Sequence, residues 1–201
     1  MAINLTKGGR INLAKEAPSL KIVRVGLGWK QNNTDTGSDF DLDVTAFGLK
    51  MVNGEPKLAG RNTEPDFMVF YGNHQSIDGA ITHSGDNRKG DTDGDDETVT
   101  VDLSKLDSQI EEISFIVTIH DAAARRQNFG QVSKSYICLY DDATGNVIAR
   151  YDLEEDFSIE TAIQFGSLYK RDDGAWAFKA IGAGYQLGLD AFVKGYGGVT
   201  E

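Results

Sequence analysis

The sequence predicts an all-β chain, mainly a sandwich of antiparallel strands, with a few short helices. Three observations lead there. Glycine is abundant and proline rare, 23 against 3, and many glycines fall between short apolar runs. Several of those runs alternate apolar and polar residues with the period of two that one buried strand face requires. The strands recur without regular helical segments between them, which argues against a parallel βαβ arrangement.

Taken in order, residues 20–29 are rich in β-forming side chains and contain Ile22, Val23, Val25 and Trp29. Leu42, Val44 and Ala46 alternate with Asp43, Thr45 and Phe47. Residues 67–71 form a short apolar run. Val99, Val101 and Leu103 share one face of a strand over 97–103, and Ile113, Phe115, Val117 and Ile119 share another. Residues 136–140 are apolar on both faces, as in a central strand. The turn cluster 141–146 joins them to a strand over 147–153, making a hairpin. Residues 158–169 carry a helix-start signal at Ser158, but Ile159, Thr161 and Ile163 favour a strand. That strand turns at 170–174 into 175–181 as a second hairpin. Helix is expected only over 104–110, as one or two turns capped by Ser104, and over 187–195. With 201 residues and no evident linker or internal repeat, a single domain over 1–201 is expected.

Bulk properties exclude several functions. The formal net charge of -11 opposes nucleic-acid binding and direct adsorption to an anionic membrane, and favours cationic partners. No stretch approaches the roughly 20 apolar residues of a membrane span. Residues 1–5 lack the basic and apolar segments of a secretory signal, and the single cysteine, Cys138, cannot form an intrachain disulfide. A cytoplasmic location is therefore expected. Cys138 lies in an apolar run and reads as a buried structural thiol.

The carboxylates are concentrated. Residues 85–97 read GDNRKGDTDGDDE and hold Asp86, Asp91, Asp93, Asp95, Asp96 and Glu97 against only Arg88 and Lys89. Such crowding is unfavourable until a divalent cation turns repulsion into attraction. Calcium takes six to eight oxygens from carboxylates, carbonyls and water. Asn87, Gly90 and the aspartates offer these, with glycine letting the backbone wrap the ion. Asp39, Asp41 and Asp43 are spaced by two and, if extended, project from one face about 6.6–6.8 Å apart along the strand. That spacing suits neighbouring ligands, and two calcium ions are expected.

Other chemistries fit less well. In an EF-hand alignment on Asp91, position 6 is Asp96 instead of glycine and position 12 is Asp102, inside an expected strand. Magnesium keeps its waters and uses one or two carboxylates. Zinc would have to work with one cysteine and three scattered histidines. His83, Ser84 and Asp86 are triad residue types, but adjacent residues rarely meet in triad geometry. Phosphate-binding and dinucleotide-binding glycine motifs are absent. His120 reads as a half-buried histidine and Asp121 as a further carboxylate. Arg125 and Arg126 read as a solvated loop, or as cations that grip an anion or the chain's own acidic edge. Trp29, Phe47, Phe115, Trp176 and Phe178 read as core.

The ordered set Gly28-Trp29, Asp41-Leu42-Asp43, His83-Ser84-Gly85-Asp86-Asn87, GDTDGDDE (90–97), 117–122, 127–132, Tyr151-Asp152-Leu153, Glu160-Thr161-Ala162, Phe165-Gly166 and Gly182-x-Gly184-Tyr185 resembles the TerD family of tellurium-resistance and stress proteins. The resemblance runs from about Leu5 to Tyr196. It implies a calcium-binding β-sandwich without enzymatic activity, acting in resistance to tellurite and other stresses. It also implies protein partners of the same system, some of them membrane-bound, with the chain peripheral at the inner membrane face through a partner. Carried over, the calcium ligands come from Asp41, Asp43 and the loop 86–97. Family members often carry an acidic residue after Gly-Trp, where this chain has Lys30. The mechanism expected is calcium-dependent ordering of the acidic edge into a partner-binding surface. The rival expectations are a calcium-bridged phospholipid binder and a metal-assisted hydrolase using His120 and Asp121.

Overall fold

The structure is a computed structural model and describes residues 2–30, 39–61, 64–88, 90, 94–152 and 158–200. The strands are β1 (Ile3–Asn4), β2 (Arg10–Asn12), β3 (Ile22–Lys30), β4 (Leu42–Val52), β5 (Glu55–Leu58), β6 (Met68–Val69), β7 (Ile81–His83), β8 (Glu97–Asp102), β9 (Glu112–Ile119), β10 (Ser133–Asp141), β11 (Val147–Asp152), β12 (Ala162–Lys170) and β13 (Trp176–Tyr185). The helices are α1 (Leu13–Glu16), α2 (Ala122–Arg125) and α3 (Leu189–Gly195), with a 3-10 turn at Phe129–Gln131. All the sheet pairings are antiparallel except β1 with β11. One sheet runs β1-β11-β10-β3-β8-β7. The other runs β2-β13-β12-β9-β4-β5, with β6 also on β4.

The main core lies between the sheets. Val23, Val25, Leu27, Val99 and Val101 come from the first sheet, and Val44, Phe115, Val117, Phe165 and Phe178 from the second. Val44, Val99, Val101, Phe115 and Val117 among them are inward positions that the period-two pattern predicts. Both expected hairpins form, β10–β11 and β12–β13. Leu153, at the end of the expected strand over 147–153, lies outside the described residues. Cys138 is buried, and burial pushes its thiol up.

Two expectations need correction. Strand β4 is buried on both faces along most of its length. Leu42, Val44 and Ala46 enter the main core, while Phe47 and Leu49 join a second cluster with Val193 of α3. The terminal helix covers that outer face, and the Phe47 and Tyr196 rings lie 5.2 Å apart. Residues 104–110 form turns, not a helix. The Ser104 hydroxyl donates to Asp102 Oδ1 at 2.6 Å instead of capping a helix. Asp107 Oδ1 accepts the Gln109 N–H at 3.0 Å. These local bonds compete with helical ones for the same backbone groups.

The fold brings the start of β4, the loop after β7 and the start of β8 to one end of the sandwich. The Trp29 indole N–H donates to the Phe40 carbonyl at 3.0 Å, tying the approach to β4 onto β3. Past Asp41, the His120 N–H donates to the Asp41 carbonyl at 2.8 Å, which extends the β4–β9 ladder.

Candidate metal centre

Asp43 is on β4, Asp41 just before it, and Asp86 in the loop after β7. Each offers a carboxylate oxygen, and the three oxygens lie within 4.8 Å of one another. Asp41 and Asp43 are buried, 5% and 3% exposed, while Asp86 stands nearer the surface. Asp41 Oδ1 is buried and has no hydrogen-bond partner. A buried carboxylate oxygen without a donor is costly unless something positive completes it.

The electrostatics agree. Burial pushes the Asp43 carboxyl up to about 8, assisted by the charges of Glu97, Asp41 and Asp86. Burial also raises Asp41, with Asp86 adding to the rise and His120 and Arg125 opposing it. Burial raises the Tyr71 phenol, helped by the neighbouring Asp43 and Asp86. The cluster thus resists joint ionisation as it stands, and a cation would reverse that. The donors are hard oxygens, the type calcium takes.

The other described carboxylates of the acidic run, Asp95, Asp96 and Glu97, go elsewhere. Glu97, on β8, is fully buried and reaches across to the other sheet. Its Oε2 accepts the Val44 N–H at 2.9 Å, and its Oε1 accepts the Asn87 N–H at 3.3 Å. The β6 ladder engages only Ala46 and Phe47, so Glu97 serves the β4 edge where no strand does. His83 Nε2 lies 3.5 Å from Glu97 Oε2, while His83 Nδ1 accepts the Gly85 N–H. Asp96 Oδ2 accepts the Trp29 N–H at 3.0 Å, and its Oδ1 accepts from the Asn87 amide at 3.3 Å. Gly90 is buried at φ +56 with its α-carbon against the Trp29 indole, where a side chain would collide. Asp39 is exposed and outside the three-carboxylate group. Asp91 and Asp93 lie outside the described residues.

Asp95 points to the outer face of the first sheet. It takes a salt bridge from Arg24 at 2.7 Å and hydrogen bonds from the Tyr140 and Tyr136 hydroxyls at 2.9 and 3.2 Å. It fits there because Gly26 lies beneath it; a Cβ on Gly26 would collide with the Asp95 carboxylate. Asp95 therefore fastens the end of the acidic loop to β3 and β10. Gly26→Ala is expected to lower the melting temperature and to loosen this loop, read as faster amide exchange at Asp96 and Glu97. Unchanged exchange would show that the tether is dispensable.

Two arginines and a histidine stand beside the three-carboxylate group. Arg125 Nη1 is 3.6 Å from Asp41 Oδ2, Arg88 Nε is 2.8 Å from Asp86 Oδ2, and His120 Nδ1 is 3.8 Å from Asp43 Oδ2. Of the two readings of the Arg125-Arg126 pair, Arg125 takes the one in which it meets the chain's own acidic edge. A groove of about 580 Å³ opens beside Asp43 and His120, passes α2, and reaches Thr161 and Leu187. Neither this groove nor the cross-sheet role of Glu97 has a signal in the sequence, since both depend on residues far apart in the chain. Among the described residues, no helix is long and apolar enough to cross a membrane.

Comparison with known proteins adds a separate line. A family model described as TerD domain matches residues 1–196. The chain is 51% identical to the tellurium resistance protein TerD of Alcaligenes sp, over 98% of each chain. It is 48% identical to general stress protein 16U of Bacillus subtilis, also over 98% of each. The fold resembles the crystal structure of a homologue of telluride resistance protein (TerD) from Streptomyces coelicolor A3(2). The TM-score is 0.69 at 23% identity, covering 87% of this chain and 96% of that one. At that identity the likeness concerns the fold.

Proposed function

Since the chain belongs to the TerD domain family, we propose that it is a calcium-binding protein of the tellurium-resistance and general stress response. The observation that carries the calcium reading is the convergence of Asp41, Asp43 and Asp86, with a buried Asp41 oxygen lacking any donor. Names of relatives support the stress role. Asp41, Asp43 and Asp86 would hold the ion, supplying three carboxylates of the six to eight oxygens calcium takes, with carbonyls and water for the remainder. Glu97, Asp96 and Asn87 act as struts that hold the loop in place. A second ion would draw on the rest of the acidic run.

The action proposed is binding, not catalysis. Neutralising the cluster orders the acidic edge and presents a surface to protein partners of the same resistance system, in the cytoplasm or at the inner membrane face through a partner. Ligand binding to the folded state also stabilises it.

Calorimetric calcium titration tests this, because it reads stoichiometry and affinity together. Replacing Asp41 and Asp43 with Ala is expected to abolish binding. Replacing Asp141 and Asp142 with Ala is expected to leave it intact, because Asp141 closes a hairpin turn by accepting from Ala143 and Thr144. Equal losses in both double variants would mean that general charge, and not a site, attracts the ion.

A further inference from the structure

Two of the three clustered carboxylates are each held by a guanidinium of the chain itself. Arg125, at the end of α2, lies 3.6 Å from Asp41 Oδ2, and Arg88, in the loop after β7, lies 2.8 Å from Asp86 Oδ2. The two arginines come from different elements, and their side chains are 28% and 76% exposed. They hold two of the three carboxylates that a metal ion in the cluster would use. A bound divalent ion would carry twice the charge of a guanidinium and would compete with the arginines for these carboxylates. Once displaced, the arginines would remain tethered beside it.

That arrangement would place three cationic groups at one carboxylate cluster. Calcium held by three carboxylates still has coordination positions to fill. A guanidinium matches the oxygens of a phosphate or carboxylate in a planar fork. Three separate cationic groups can be served at once by a phosphate, which has oxygens on several sides, better than by a two-oxygen carboxylate. The groove of about 580 Å³ begins at Asp43 in the same cluster. Its rim carries Ile159 and Leu187, apolar side chains 57% and 48% exposed, against which an organic group can lie.

We infer that the calcium-loaded protein binds a phosphate ester, held by the ion together with Arg88 and Arg125, with its organic part in the groove beside Asp43. The site is gated by the metal. Without calcium the arginines are taken up by Asp41 and Asp86, and the carboxylates repel an anion. This rests on the calcium reading above. A soluble phosphomonoester and a lipid headgroup share the chemistry, and the experiment separates them.

Calcium is first titrated into the wild type and into Arg88→Met/Arg125→Met. Glycerol 3-phosphate is then titrated into calcium-saturated and chelator-treated protein. In parallel, both proteins are sedimented with phosphatidylcholine vesicles, with and without phosphatidylserine. The expected result is anion binding by the wild type in calcium only. The double Met variant is expected to lose roughly tenfold or more in that binding. Its calcium affinity is expected to be unchanged or higher, since two competing cations are gone, and this also reports that it is folded. Arg88→Lys/Arg125→Lys keeps the charge without the fork and is expected to fall between; it carries the comparison if the Met variant does not fold. Binding of glycerol 3-phosphate supports the inference with a soluble ligand. Arginine-dependent vesicle binding alone supports it with a lipid one. If the wild type binds calcium but neither probe, or if the arginine variants bind either probe as well as the wild type, the inference is overturned and the calcium reading stands. If the wild type binds no calcium, the calcium reading fails first and takes the inference with it.

Discussion

Calcium is expected to raise the melting temperature of the wild-type protein at pH 7, and Asp43→Asn to remove that rise while making the calcium-free protein more stable. The cause is the burial of Asp43 beside Glu97, Asp41 and Asp86, which pushes its carboxyl up to about 8. A carboxyl whose folded value lies above its unfolded one, near 3.8, favours folding least when ionised. The penalty is absent below about pH 4, grows as pH rises, and is complete above about pH 8. Calcium-free wild type should therefore lose stability relative to Asp43→Asn across that window. With calcium the sign reverses, because the ion displaces the proton. Affinity should climb by up to about tenfold per pH unit below 8, then level off. At 100 times its dissociation constant, calcium should add about 2.7 kcal/mol per site, or roughly 5–11 °C. Melting curves of both proteins, from pH 5 to 9 with calcium or chelator, check this. Should Asp43→Asn gain as much from calcium as wild type, or be no more stable than wild type without it, Asp43 is not at the ion.

A second large effect belongs to the core. Phe165 on β12 is fully buried and packs against Tyr151 of the opposite sheet at 5.7 Å and Phe178 of its own sheet at 5.5 Å. Phe165→Ala removes a ring that joins the two layers and leaves a cavity that rigid strands refill poorly. The expected cost is about 3–5 kcal/mol, a fall of roughly 6–20 °C in melting temperature. The fall should be equal with calcium and with chelator, because distant sites add. A loss below about 1 kcal/mol would place Phe165 outside the load shared between the sheets.

These two effects mark how differently the fold and the site can be read along the chain. The inward faces of β8 and β9 follow from alternation alone, and both hairpins from the turn residues between their strands. The terminal helix and the buried Cys138 were also readable. The turns at 104–110 were not, because Asp102 and Asp107 satisfy backbone groups in ways that helix-start signals share. The double burial of β4 was equally hidden, since what covers its outer face is a helix well over a hundred residues further along the chain.

For the candidate site, the sequence by itself determined that Asp41 and Asp43 stand near one another. Spacing by two on an extended chain is a matter of local geometry, and no distant residue can alter it. It also marked the acidic run beginning at Asp86 as a further concentration of carboxylates. Only the tertiary structure decided which of the described members of that run reaches the pair. Asp86 does so; Asp95 is drawn to Arg24, Tyr136 and Tyr140 over Gly26, and Glu97 is drawn to the Val44 N–H across the sandwich. A loop carboxylate goes to whichever donors the folded sheets leave unpaired. Those donors exist only after strands far apart in sequence have taken their register, and that is why composition and spacing point to a carboxylate cluster while the assembled sheets select its members.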